Sequence, residues 1–153
     1  MIIFDLDGTL ADCEHRRHFV DPRKRECKCG NQLNHICYKC KHWEPNWPAF
    51  YEACDQDEPI EPTISLLNHI FRKQIQESRD HFSSIQIWSG RCESAREKTL
   101  IWFYKNGIPT NLPLKMRSIG DNTPDGLLKE RWLEEAVAEG RSVGFVFFSG
   151  HVR

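Results

Sequence analysis

Two aspartates lie two positions apart in the D-L-D-G-T segment that starts at Asp5, directly after an apolar run. If the chain stays extended from Asp5 to Asp7, both side chains point to the same side of the strand end. One carboxylate can then act as a nucleophile while the other transfers protons. Two like charges this close favour a bound cation, and oxygen ligands suit Mg²⁺, so both aspartates are candidate metal ligands. The alternative is a surface turn capped by an aspartate.

The apolar segments that must position these carboxylates alternate between strand and helix patterns. After a strand at residues 1–6, the patterns predict a helix begun by Pro59 and Pro62, a strand at 85–88, a helix at about 93–106, a strand at 112–116, a helix at about 126–139 and a strand at 143–148. This alternation predicts βαβ crossovers and a mostly parallel sheet. Ser89-Gly90-Arg91 is predicted as a turn that closes the second strand. Ligands bind at such carboxyl ends of parallel strands.

Residues 21–48 form a predicted loop-rich insert that holds four of the seven cysteines. Cys37-x-x-Cys40 has a common zinc-ligand spacing, and Cys27-x-Cys29 is a tighter pair. The insert is therefore predicted to bind a structural Zn²⁺ through these four thiols, or through three of them with His35 or His42. Zn²⁺ would supply folding energy to a segment that cannot build its own core. Free or disulfide-linked cysteines are the alternative.

The length and charge of the chain exclude several classes of protein. The 153 residues fit one domain, and the net charge of −1 argues against a basic coat for nucleic acid. From Glu14 to His42, eight Lys/Arg face three acidic residues, a local charge of +5, which indicates either a phosphate-bearing partner or a solvated loop. No run of 18 apolar residues exists, so no membrane span is predicted. The acidic start argues against a signal peptide, so a cytoplasmic protein is expected.

The D-x-D-x-T segment (Asp5, Asp7, Thr9) resembles the first motif of the haloacid dehalogenase (HAD) phosphatases. Ser89 matches the second motif and Lys129 the third. More narrowly, the chain resembles the 3′-phosphatase domain of phage-type polynucleotide kinases. That finer likeness rests on the D-L-D-G-T-L-A-D start, the His15-Arg16 pair, W-x-x-F-x-x-A-C from Trp47, S-G-R from Ser89, and M-R-x-x-G-D from Met116. The resemblance implies one HAD-like domain over residues 1–153, a three-layer Rossmann-type α/β fold that carries the insert.

The resemblance also implies roles for these residues. Asp5 would attack phosphorus, and Asp7 would protonate the leaving group and then activate water. Lys129 would offset charge on Asp5, while Thr9, Ser89 and Gly90 would bind the phosphoryl group. The remaining substrate-binding candidates are Arg16, Arg91 and Arg117. Guanidinium groups grip phosphate with two donors, although solvated salt bridges or, for Arg16, a plain helix surface are the alternatives.

One motif of the family is missing. The fourth is an acidic pair after the last core strand, yet no Asp or Glu follows Glu139. Losing a carboxylate should weaken Mg²⁺ binding, because this ion is held by few protein oxygens. Asp121 or Asp125 is predicted to substitute, and helix capping is the alternative role for Asp125.

The sequence thus predicts an Mg²⁺-dependent phosphomonoesterase that forms an aspartyl-phosphate. Its expected substrate is a phosphorylated nucleic-acid end or a nucleotide, and the oligomeric state is not predicted. The alternative is a catalytically degenerate protein of the same fold, with a nucleic-acid-binding or regulatory role. A P-loop pattern is absent, so no kinase activity is expected.

Overall fold

The computed structural model describes residues 1–22, 44–77 and 84–148. In these ranges, four parallel strands form one sheet and two short strands form an antiparallel pair. The elements in chain order are β1 (Ile2–Asp5), β2 (Ala11–Asp12), α1 (Trp47–Glu52), β3 (Glu58–Pro59), α2 (Glu61–Glu77), β4 (Ile85–Cys92), α3 (Arg96–Lys105), β5 (Leu114–Arg117), α4 (Asp125–Ala138) and β6 (Phe145–Phe147). Short 3₁₀ turns lie at Glu14–Phe19, Ala53–Gln56 and Glu93–Ala95.

Successive side chains of the central strand β1 enter different cores, because strand side chains alternate between faces. Phe4 packs in a cluster with residues from α2 and α3, including Leu67 and Trp102. Ile3 packs in a second cluster with Leu128 and Trp132 of α4. The sheet is therefore buried on both faces, and the helices form the outer layers. The parallel sheet is the one that the alternating pattern predicted, and the three-layer α/β arrangement is the one that the resemblance implied.

The strand order β5-β4-β1-β6 places β1 beside the point where the chain reverses its direction across the sheet. The chain proceeds from β1 to β4 and β5, and α4 then carries it back to β6 on the opposite side of β1. Helices on the two sides of such a reversal lie on opposite faces, which opens a crevice at the carboxyl ends of the strands. Asp5 is the last residue of β1, so it lies at this crevice.

One local prediction is wrong. Ser89-Gly90-Arg91 was predicted as a turn, but these residues continue strand β4 as far as Cys92. The register with β5 shifts between Ser89 and Cys92, so the strand carries an irregularity and still pairs. Such irregularities redirect side chains near binding sites. The polar residues of this segment therefore belong to an irregular strand end.

The predicted ends of two helices are confirmed. Gly107 follows α3 with φ = 66° and Gly140 follows α4 with φ = 78°, the left-handed conformation that favours glycine. The last strand is shorter than predicted, covering three residues, and Phe145 and Val146 are exposed at the sheet edge.

Two further predictions concern the zinc site and a membrane span. Cys27, Cys29, Cys37 and Cys40, with the zinc site predicted for them, lie outside the described residues. In the described ranges, no helix has the length and apolar character needed to cross a membrane.

Candidate active site

A tight loop carries the first motif away from β1. The Gly8 N–H donates to the Ala11 carbonyl at 2.7 Å, and the Leu10 N–H donates to the Leu6 carbonyl at 2.9 Å. Gly8 has φ = 84°, a conformation that side-chain-bearing residues rarely adopt. Thr9 is buried in the loop. These bonds fix the backbone on both sides of Asp7, so the two carboxylates are presented from a rigid segment.

Asp5 is 8% exposed and faces a lysine from the other end of the chain. The Lys129 Nζ donates to Asp5 Oδ1 at 2.7 Å across 124 residues of sequence, and the Leu6 N–H donates to the same oxygen at 2.8 Å. Burial raises the pKa of Asp5 to about 6, although the Lys129 charge acts in the opposite direction. The structure therefore brings together the predicted nucleophile and the lysine that the resemblance assigned to it.

Lys129 bridges Asp5 to a second carboxylate, that of Asp125. Its Nζ donates to Asp125 Oδ2 at 2.8 Å, a contact between residues one helical turn apart on α4. Burial opposes the lysine charge, but Asp5 and Asp125 outweigh burial and raise the Lys129 pKa. The capping role considered for Asp125 is wrong, because Pro124 occupies the cap position and Asp125 is the first residue of the helix.

Gly90 lies directly against this lysine cluster. A Cβ atom on Gly90 would lie 1.9 Å from Asp125 Oδ1, well inside van der Waals contact. A side chain at position 90 would therefore force the Asp125 carboxylate to turn away from its present position. The Gly90 carbonyl also accepts a hydrogen bond from the Arg117 Nε at 2.8 Å.

Asp7 occupies a different environment, in which two arginines surround it. The Arg16 Nη2 donates to Asp7 Oδ1 at 2.6 Å. The Arg91 Nη2 donates to the same oxygen at 2.7 Å, and the Arg91 Nε lies 3.0 and 3.2 Å from the two carboxylate oxygens. Burial alone would raise the pKa of Asp7, but the charges of Arg91 and Arg16 outweigh it and lower the pKa to about 2.

Both arginines are fully buried, and their second partner is Asp57. Solvated salt bridges are therefore the wrong alternative for Arg91, and a plain helix surface is the wrong one for Arg16. Their contact with a substrate phosphate stays a prediction. Sequence reasoning missed Asp57, which lies at a junction before β3. One signal was available: two arginines beside one aspartate require a further negative charge if they are buried.

Three other predicted site residues have contacts within the protein. Ser89 is fully buried, and its Oγ accepts from the Arg91 N–H at 3.1 Å. Arg117 donates to the carbonyls of Gly90 and Thr123, which ties the loop before α4 to β4. Asp121 accepts from the Thr123 N–H and from Arg131; these hydrogen bonds hold its pKa below its usual range. Their roles toward substrate or metal stay predictions.

The oxygen ligands available for a cation are few. Among the described residues, no group of three His, Cys, Asp or Glu side chains is placed to hold a metal ion. Both hydrogen bonds recorded for Asp5 reach Oδ1, whereas both oxygens of Asp7 face Arg91. Mg²⁺ is commonly held by one or two carboxylates together with substrate phosphate and water. The Oδ2 oxygen of Asp5 fits such a sparse protein contribution.

A cavity of about 350 Å³ opens beside the loop that carries Asp7. Gly8 and Thr9 line one side, Ile60 and Thr63 at the start of α2 line another, and the end of β6 closes it. The volume lies in the range of small-ligand sites. The loop that carries Asp7 is thus accessible from this side of the sheet.

Comparisons with known proteins bear on the fold. A scan against protein-family models finds no match, and no curated protein matches the chain. A search of solved structures finds similar chains, among them one from the "Structure of Pnkp1/Rnl/Hen1 complex" with a TM-score of 0.58 and 23% sequence identity. The match covers 95% of this chain and 37% of that chain, so the present chain spans well under half of its neighbour's length. At this identity the likeness confirms the α/β fold with its parallel sheet.

Proposed function

We propose that the chain is a phosphomonoesterase of HAD type in which Asp5 attacks phosphorus. The contact between Lys129 Nζ and Asp5 Oδ1 carries this proposal, since nothing in the sequence spacing required residues 124 positions apart to meet. A buried lysine offsets the charge that accumulates when a carboxylate approaches a phosphate. Phosphoryl transfer depends mainly on such positioning and charge neutralisation.

Asp7 is the proposed proton carrier. Its low pKa makes it a carboxylate in the free protein. A phosphate dianion bound beside it raises its affinity for a proton, because like charges favour the protonated form. In the proposed reaction, Asp5 forms a bond to phosphorus, the bond to the leaving oxygen breaks, and Asp7 gives that oxygen its proton. Asp7 then takes a proton from the water that releases phosphate from Asp5.

Mg²⁺ fits this site as a partner of the substrate. Asp5 would hold it through Oδ2, with Asp7 close by, and the ion would neutralise charge on the phosphoryl oxygens. Lys129 fixes the other oxygen of Asp5, so the carboxylate keeps one orientation with or without the ion.

The proposed substrate is a phosphorylated nucleic-acid end or a nucleotide. Two observations support it: the sequence motifs resemble those of 3′-phosphatase domains, and the fold resembles a chain of the Pnkp1/Rnl/Hen1 complex. The second candidate is a nucleic-acid-binding or regulatory protein without turnover. The sparse set of carboxylates in the described part of the site favours that alternative.

The deciding experiment is phosphate release from a 3′-phosphorylated oligonucleotide, with Mg²⁺ and with EDTA. We expect Mg²⁺-dependent release that Asp5→Asn abolishes. The control is Asp12→Asn, since Asp12 is an exposed carboxylate on β2 and should leave the rate unchanged. Equal release by Asp5→Asn would exclude the mechanism. No release from this substrate or from mononucleotides would favour the binding protein.

The insert at residues 21–48 is proposed to bind one structural Zn²⁺ and to guide the phosphorylated end. Elemental analysis should then find about one zinc per chain. Neutralising Arg23, Lys24 and Arg25 should weaken binding of a phosphorylated oligonucleotide, most strongly at low salt. A folded protein without zinc, or unchanged binding, would contradict the respective part.

A further inference from the structure

We infer that Asp57 is a positioning residue for the reaction, which fixes the side chain of Asp7 through Arg16 and Arg91. Its effect on turnover rests on the proposed function, whereas its control of the arginines does not. Asp57 lies outside every motif that the sequence indicated. It is 50 positions from Asp7, and the two arginines provide the recorded contacts between them.

The carboxylate of Asp57 is completely enclosed and receives donors on both oxygens. Its side chain has no exposed surface. The Arg16 Nε donates to Oδ1 at 2.6 Å and the Arg16 Nη2 donates to Oδ2 at 2.7 Å, a two-pronged pair. The Arg91 Nη2 donates to Oδ2 at 2.5 Å, and the His15 Nε2 lies 2.9 Å from Oδ1. Such charge-assisted, two-pronged bonds fix both distance and orientation.

Each arginine links the two carboxylates through a single nitrogen. The Nη2 of Arg16 and the Nη2 of Arg91 each contact both Asp7 and Asp57. Two guanidinium groups and two carboxylates therefore form a closed, charge-balanced cluster. Without Asp57, two buried positive charges would share Asp7 alone, and each guanidinium would lose the contact that sets its angle. Breaking a buried ion cluster on one side leaves charge without compensation.

The backbone holds Asp57 in place independently of the arginines. Its carbonyl accepts a hydrogen bond from the buried Trp102 Nε1 of α3 at 2.7 Å. The next two residues form β3, which pairs antiparallel with β2, the strand that directly follows the loop carrying Asp7. Arg91 has one further contact of its own, since its Nη1 donates to Thr99 Oγ1 at 3.2 Å. Asp57 is thus a rigid anchor, and the arginines transmit its position to Asp7.

This assignment predicts a specific kinetic effect. Both arginines are fully buried and direct their donors to protein oxygens, so loss of Asp57 should misplace Asp7 while substrate affinity changes little. A displacement of about 1 Å at a catalytic group can cost about 100-fold in rate. We therefore expect Asp57→Asn to lower kcat about 100-fold with little change in KM.

The test combines kinetics with nuclear magnetic resonance of the arginine side chains. The Arg91 Nε–H signal, identified by its absence in Arg91→Lys, should exchange slowly in the wild-type protein, because this group is buried against Asp7. In Asp57→Asn we expect much faster exchange together with the loss of kcat. The control is Glu135→Gln, which removes a carboxylate of α4 that pairs with Lys115 outside this cluster, and should alter neither.

The outcomes separate the two proposals. Unchanged Arg91 exchange in Asp57→Asn overturns the positioning role, whether or not the wild-type protein releases phosphate. A wild-type protein without turnover refutes the proposed function, and the exchange measurement then decides the positioning role alone. If Asp57→Asn does not fold, Arg16→Gln/Asp57→Asn keeps the charge balance. The double variant should then show faster Arg91 exchange than Arg16→Gln, and equal exchange overturns the inference.

Discussion

The two carboxylates of the D-L-D-G-T segment lie two positions apart, yet their surroundings differ in kind. Asp5 meets one lysine, which it shares with Asp125. Asp7 meets two guanidinium groups that a further carboxylate, Asp57, holds from behind. A lysine is a flexible point charge, whereas an arginine presents its donors in a rigid plane. We call the Lys129 contact of Asp5 the lysine side and the Arg16 and Arg91 contacts of Asp7 the arginine side. In the proposed reaction, the lysine side would suit a group that moves toward phosphorus, and the arginine side one that stays in place.

The same contrast determines the protonation of the pair. Burial raises the pKa of Asp5 to about 6, because one shared lysine offsets only part of the lost hydration. Two arginines lower the pKa of Asp7 to about 2 despite its burial. The pKa values of two carboxylates in one motif are thus driven apart by their different partners. Such a difference allows two chemically identical groups to perform different roles.

The largest expected effect comes from breaking the arginine side. Arg91→Met should cost about 3 to 5 kcal/mol in the free energy of unfolding, because it leaves Asp57 and Asp7 facing Arg16 alone in a buried position. Chemical denaturation monitored by circular dichroism measures this change. The matched control is Arg96→Met, which removes a half-exposed arginine paired with Glu93 and should cost less than about 1 kcal/mol. Similar losses of unfolding free energy in both variants would show that the buried cluster stabilises the fold no more than an exposed ion pair does.

Features of this site that depend on local sequence patterns could be predicted, whereas those that depend on contacts between distant residues were missed. The end of β1 at Asp5 and the start of α4 near Lys129 follow from local apolar patterns, and the parallel topology brings strand ends to one edge of the sheet. Asp57 depends on a fold-level contact between two arginines and a junction that has no pattern of its own. The turn predicted at Ser89 was wrong for a related reason: pairing with β5 overrides the turn preference of its polar residues.

A smaller effect should appear in the pH dependence of stability, and it concerns the lysine side. Since the pKa of Asp5 rises from 3.8 in the unfolded chain to about 6 in the folded protein, the folded state binds the extra proton between these values. Stability contributed by the neutral form is therefore lost as pH rises from about 4 to 6, by about 3 kcal/mol. Asp5→Asn should lack this loss and become more stable than the wild-type protein at pH 7.

Urea unfolding in EDTA at pH 4 and pH 7 measures the effect, with Asp12→Asn as the control for an exposed carboxylate. For Asp7 the sign is opposite: its lowered pKa contributes stability above about pH 4 that is lost as pH falls toward 2. An Asp5→Asn curve parallel to that of the wild-type protein between pH 4 and 7 would show that Lys129 fully compensates the burial of Asp5.

The smallest expected effect tests the contact that joins the lysine side to the sheet. Gly90→Ala places a methyl group where Asp125 Oδ1 lies, so Asp125 must turn away and Lys129 loses one of its two carboxylates. Overpacking of this kind costs about 1 to 3 kcal/mol in stability. Phosphate release should slow as well, because Lys129 then no longer approaches Asp5 from a fixed position. The control is Gly126→Ala in the first turn of α4, where a Cβ atom meets nothing within 4 Å. Alanine favours helix there, so Gly126→Ala should keep the rate and gain about 0.5 to 1 kcal/mol. Equal rates of phosphate release in the two variants would show that Lys129 is positioned by Asp5 without help from Asp125.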